Sequence, residues 1–96
     1  MTHFTTHNQN PEIDAYMTFK VGEATLPFTA LQKCLGEPIR HLHDKVKAEW
    51  LIQFDDGEVA TVYDWKEPHA PQNNEHWCIG GHRGSVVARI SAILSV

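Results

Sequence analysis

The stretch Trp77-Cys78-Ile79-Gly80-Gly81-His82-Arg83-Gly84-Ser85 has the make-up of an anion-binding turn, in which an apolar strand runs through a glycine-rich loop into a helix start. A helix start gathers unpaired N–H groups and partial positive charge, and glycines let an anion come close to the backbone. Arg83 would add a planar fork for phosphate or carboxylate and His82 a further donor, with Tyr63 or Trp77 stacking a base. The spacing departs from both G-x-x-x-x-G-K-[ST] and G-x-G-x-x-G. A tight connection that needs glycine for its turns, with Ser85 as an ordinary cap, accounts for the same residues, and both readings stand.

Seven histidines form a second group: His3, His7, His41, His43, His69, His76 and His82. In His41-Leu42-His43-Asp44 the H-x-H spacing puts two imidazoles on one side of an extended strand beside a carboxylate. His69 or His76 would complete a metal site. No H-E-x-x-H or cysteine pair supports that set, exposed histidines explain it as well, and no cofactor is expected. Cys34 and Cys78 are two isolated thiols, read as reduced and semi-buried, with Cys78 a remote candidate for a nucleophile.

Acidic and aromatic residues meet in a hairpin. Val46, Ala48, Trp50, Ile52 and Phe54 alternate, Asp55-Asp56-Gly57 signals a tight turn, and Val59, Thr61, Tyr63 and Trp65 alternate on the way back. A two-residue turn at Asp56-Gly57 would set Phe54 against Val59, Ile52 against Thr61 and Trp50 against Tyr63, gathering the large side chains on one face. Glu49 would then face Asp64 on the other side, next to Lys47 and Lys66, in an ordinary charge ladder. Trp65, at a strand end beside a proline-rich loop, is the aromatic most suited to exposure.

These residues need a frame. Residues 1–12 are polar and read as a flexible tail, and residues 13–96 as a single domain. Tyr16 to Val21 suits a short strand stopped by Gly22. Thr25 can cap a helix over Leu26 to Leu35, closed by Gly36 and Pro38. Residues 39–45 read as irregular, 66–75 as a loop and 76–79 as a strand. Residues 80–84 read as a second loop, and about 86–94 as a final helix. The expected fold class is α+β: a small antiparallel sheet of three or four strands with two helices on one face.

With 96 residues, 42% hydrophobic and 21% charged, the composition is that of one small globular domain. No apolar run approaches the roughly 20 residues of a membrane span. Met1 to His7 lacks the basic start and apolar core of a secretory signal, so a cytoplasmic location is expected. Twelve acids against eight bases give a formal charge of −4, and direct nucleic-acid binding, which needs surplus Lys and Arg, is not expected.

The run Glu49-Trp50-Leu51-Ile52-Gln53-Phe54-Asp55-Asp56-Gly57-Glu58-Val59-Ala60-Thr61-Val62-Tyr63-Asp64-Trp65-Lys66, followed by Trp77-Cys78-Ile79-Gly80-Gly81, resembles a group of small bacteriophage-encoded proteins. The segment from Leu31 to Pro38 is similar to the same group. The resemblance spans roughly residues 25–95 and brings no catalytic residues with it. It implies a context in which small phage proteins inhibit host defence, anti-CRISPR proteins and sponges for nucleotide signals among them. The leading expectation is therefore a non-enzymatic inhibitor. It would dock on a bacterial defence protein through Asp44, Glu49, Asp55, Asp56, Glu58, Asp64 and Trp65, acidic groups that complement a basic nucleic-acid channel. The second expectation is a binder of a phosphate-bearing nucleotide at Gly80, Gly81, His82, Arg83, Gly84 and Ser85 with Tyr63 or Trp77, helped by homo-oligomer formation. The third is a metal-dependent phosphoesterase built on His41, His43, Asp44 and His82.

Overall fold

In chain order, the described residues (4–6, 18–40 and 45–94 of the computed structural model) form β1 (Phe4–Thr6), β2 (Phe19–Thr25), α1 (Phe28–Leu35), β3 (Ile39–Arg40), β4 (Ala48–Phe54), β5 (Val59–Tyr63), β6 (His76–Gly81) and α2 (Val86–Leu94). A single turn of 3-10 helix, Pro71–Asn73, interrupts the β5–β6 connection. The strands make one antiparallel sheet in the order β1-β4-β5-β6-β2, and β3 also pairs with β4. The α+β class holds, with six strands instead of three or four. The extra ones come from Phe4–Thr6, within the expected tail, and from Ile39–Arg40, within the expected irregular segment. Phe4 opposes Phe54 at the sheet edge and packs against the core.

The β4–β5 hairpin forms where the alternation and the Asp-Asp-Gly signal place it, but one residue out of the expected register. Its observed pairs are Glu49 with Tyr63, Trp50 with Val62, Leu51 with Thr61, Ile52 with Ala60 and Gln53 with Val59. The loop holds three residues: the Phe54 carbonyl accepts from the Gly57 N–H at 2.9 Å, and the Phe54 N–H donates to the Glu58 carbonyl at 2.8 Å. Gly57 has φ +89, the left-handed conformation that such a loop needs at its last position and that glycine adopts without strain. A one-residue slip exchanges the faces of a strand. Ala60 and Val62 therefore join Ala48, Trp50, Ile52 and Phe54 beneath the helices, while Val59, Thr61 and Tyr63 lie on the far face with Leu51.

Both helices cover the first face. Phe28, Leu31 and Leu35 of α1 and Val86, Ile90 and Leu94 of α2 are buried against Trp50, Ile52, Val62, Trp77 and Ile79. The rings of Trp50 and Trp77 meet edge to face at 5.3 Å, with Phe28 at 5.7 and 6.3 Å from them. A buried indole N–H needs an acceptor. The Trp77 Nε1–H donates to the Leu26 carbonyl at 2.9 Å and the Trp50 Nε1–H to the Gly36 carbonyl at 2.8 Å, so one indole ties down each end of α1. That helix begins at Phe28, because Thr25 still belongs to β2, opposite His76, and Pro27 occupies the cap position.

Gly80 and Gly81 are strand residues, not loop residues. A methyl group on Gly81 would come within 2.7 Å of Val86 Cγ2, and one on Gly80 within 2.5 Å of Thr61 Oγ1. Glycine is required here by close packing on both faces of β6. Gly22 likewise does not end a strand: β2 runs through it, with a shift of register between Lys20 and Gly22.

Candidate functional site

At the end of β5 the chain turns a corner that carries one buried acid and one exposed tryptophan. Asp64 has no solvent exposure, and its Oδ1 accepts from the N–H groups of Lys47 at 2.8 Å and Ala48 at 3.0 Å. Two such bonds are what let a carboxylate sit out of water. The next residue, Trp65, is 48% exposed, whereas Trp50 and Trp77 are wholly buried. Lys66 follows with φ +54, a conformation that costs a residue with a Cβ about 1–2 kcal/mol. Its N–H donates to the Lys45 carbonyl at 2.9 Å, which joins the two segments at this point. The Lys45 and Lys66 ammonium groups lie 5.8 and 5.6 Å from the centre of the Trp65 ring, within cation–π range. Lys47 instead donates to the carbonyls of Glu67 at 2.9 Å and His69 at 3.3 Å, bracing the loop behind. An exposed indole is thus held between two cations on a corner fixed by backbone bonds.

The other end of the hairpin is a closed ion network. Arg89 of α2 reaches Asp56 at 2.9 and 3.0 Å and Glu58 at 2.9 Å, and its guanidinium stacks 4.0 Å from the centre of the Phe54 ring. The Arg83 side chain, 79% exposed, lies 3.6 Å from Glu58. The Glu58 N–H donating to Asp56 Oδ1, together with the Arg89 guanidinium, holds the Asp56 carboxyl below its ordinary range. Glu58, followed by Asp56, in turn pushes Arg89 up. A groove of about 490 Å³ lies here, lined by Gln53, Asp56, Gly57, Glu58, Val59, His82 and Arg83. Both guanidinium groups at this groove, Arg89 and Arg83, are already turned onto the carboxylates of its wall.

On the far face of the sheet, Tyr63 stands opposite Cys78 on neighbouring strands. Burial raises both pKa values, so the Cys78 thiol keeps its proton more firmly than a free one, the reverse of what a nucleophile needs. Nearby, His76 lies between Glu23 (Nε2 to Oε1, 3.3 Å) and Glu67 (Nδ1 to Oε1, 3.6 Å). Lys20 bonds Glu23 at 3.0 Å, which lowers the Glu23 pKa and raises that of Lys20.

The expected contact set does not come together as one surface. Asp64 is buried and serves as an anchor, and Glu49 faces Tyr63 and Ile39 instead of Asp64. Asp56 and Glu58 are engaged by Arg89. Asp55 is exposed at the turn, but the length of β5 separates it from Trp65, which is exposed at the strand end as expected. The anion-site set is also dispersed. Gly80 and Gly81 sit inside a strand paired on both sides, Trp77 is buried on the helix face, and Tyr63 lies on the opposite one. His82, Arg83, Gly84 and Ser85 form the exposed connection, and its Arg83 and Gly84 carbonyls accept from the Val86 and Val87 N–H groups at 3.4 and 3.1 Å. His41, His43 and Asp44 fall outside the described residues, among which no three His, Cys, Asp or Glu side chains gather as metal ligands. Lys66 was read only as part of a charge ladder with Lys47, and Lys45 was not singled out by sequence. The available signal was that both flank the open end of the hairpin, three residues outside β4 and β5.

No protein-family model, curated protein or solved structure matches the chain.

Proposed function

We propose that the chain is a non-enzymatic binding protein that docks on another protein with Trp65 at the centre of the contact. The carrying observation is that Trp65 is 48% exposed next to a wholly buried Asp64, on a corner held by the Lys66–Lys45 backbone bond. Tryptophan buries a large area with little loss of side-chain freedom, and an indole already positioned in the free protein loses less still on binding. The resemblance to small phage proteins makes a bacterial defence protein the first class of partner to examine, with the protein acting as its inhibitor inside the host cell.

The test is retention of partners from a bacterial lysate by the immobilised protein, with Trp65→Ala alongside. Truncating a central aromatic typically costs 2 kcal/mol or more of binding, about thirtyfold in affinity. The proposal expects a protein retained by the wild type and lost from Trp65→Ala at unchanged thermal stability. Equal retention by both would reject it.

A further inference from the structure

We infer that two copies of this chain pair through β2, antiparallel, about a two-fold axis between Val21 and Gly22, joining their sheets into one. The sheet ends on β1, of three residues, and on β2, of seven. β2 is bonded to β6 on its inner side, and among the described residues no strand lies on its outer side. Such an edge presents a row of unpaired N–H and C=O groups, and β2 has no proline to interrupt it. Phe19 stands on this edge 59% exposed, more so than Trp65.

Residues opposite each other in an antiparallel pair share a face, so the faces of β2 select its register. Ala24 and Val21 pack with the core, and a methyl group on Gly22 would meet Val87 of α2, so these three look toward the helices. Phe19 opposes Gly81, whose added methyl would meet Val86, and shares that side. Lys20 and Glu23 oppose Gly80 and Cys78 on the far face, and the register shift between Lys20 and Gly22 is what brings two residues three apart to one face. Setting Lys20 opposite Glu23 of the second copy also sets Phe19 opposite Ala24 and Val21 opposite Gly22, with faces matched at every pair. A pairing centred on Gly22 would oppose Lys20 to Ala24, which lie on different faces. One centred on Lys20 would bring two ammonium groups together.

Charge fits the same register. Lys20 and Glu23 meet at 3.0 Å within one chain, and each side chain is 49% exposed, so across the axis they would form a cluster of four alternating charges with those of the second copy. The small Ala24 side chain leaves room for the Phe19 ring opposite it. A lysine and an extra residue on an edge strand discourage a foreign strand. A second copy brings the matching acid and the matching irregularity, so the same features select this chain for itself.

The test is sedimentation equilibrium of the full chain over roughly a hundredfold range of concentration. The wild type should pass from monomer to dimer and stop there, because a two-fold contact closes on itself. Lys20→Glu and Glu23→Lys each set like charges against each other across the axis, and each variant should associate at least about tenfold more weakly, with an unchanged far-ultraviolet spectrum. An equimolar mixture of the two restores opposite charges across the axis, although neither chain keeps its internal Lys20–Glu23 bridge, and should regain dimers with one chain of each. A wild type that stays monomeric throughout would overturn the inference, as would a mixture that associates no better than its components. Dimers untouched by either substitution would overturn it too. Trp65→Ala should dimerise as the wild type does, whatever becomes of its docking role; dimers lost in that variant would place the contact at the Trp65 corner instead.

Discussion

Asp64 has one carboxylate oxygen bonded twice to backbone and the other, Oδ2, buried with no partner. Removing the side chain would leave two N–H groups at the start of β4 without an acceptor, at a cost of about 1–3 kcal/mol for each buried group. Asp64→Ala should therefore unfold at markedly lower urea, whereas Asp64→Asn, which keeps an oxygen at the Oδ1 position, should lose less than half as much. Equal losses in the two variants would show that those bonds are not what Asp64 contributes. Asp56 supplies a different residue-scale prediction. Its folded pKa is depressed by the Glu58 N–H and by Arg89, so its contribution is present at neutral pH and is lost as pH falls through the folded pKa. Below the ordinary Asp value of about 3.9, the melting temperature of the wild type should fall more steeply than that of Asp56→Asn. Parallel curves would contradict this. The burial of Asp64 was not legible in the sequence, because whether a carboxylate one residue past a strand points inward depends on a register that other contacts decide.

Those contacts act at the scale of the hairpin and its neighbours. Alternation and Asp-Asp-Gly were enough to place β4, the turn and β5, but β5 reads Val-Ala-Thr-Val-Tyr, apolar enough on both faces that a period of two does not say which one the helices cover. Packing decides it. Ala60 and Val62 fit beneath α2 and beside Trp50, and the left-handed Gly57 absorbs the extra turn residue. The two helices were legible from their apolar stripes and from Gly36, although α1 starts at Phe28 because Thr25 is held in the β2–β6 ladder. Gly80 and Gly81 misled for a physical reason: glycine marks a loop or a close approach equally well, and only the position of Val86 and Thr61 distinguishes them. This yields a packing prediction. Gly81→Ala, with its methyl 2.7 Å from Val86 Cγ2, should cost about 1–3 kcal/mol through overpacking. Val86→Ala alone should also destabilise by leaving a cavity, but the double variant should be more stable than the sum of the two losses predicts. Such non-additivity is expected between side chains in direct contact. Strict additivity in urea unfolding would mean that β6 yields without pressing on α2.

At the scale of the molecule, the edge of the sheet separates a three-residue strand from a dispensable tail. β4 has β5 on one side and, on the other, β1 opposite its end and β3 opposite its beginning. Phe4, Thr5 and Thr6 pair with Phe54, Gln53 and Ile52, and Phe4 packs against the core near the Phe54 ring on which Arg89 stacks. This pairing was not legible beforehand, since three residues carry too short a pattern for periodicity to register and their partner lies about fifty positions away. Deleting residues 1–6 should remove the partly buried Phe4 from the core edge and leave the hydrogen-bonding groups of Ile52–Phe54 open along a strand edge, a surface on which other chains can pair. For a domain of this size each 1 kcal/mol lost lowers the melting temperature by about 4–8 °C, so the truncated chain should melt several degrees below the full one. It should also sediment as species larger than those of the full chain at the same concentration. A truncated chain that melts at the same temperature and stays the same size would mean that β1 only rests on the sheet, and that the core closes without Phe4.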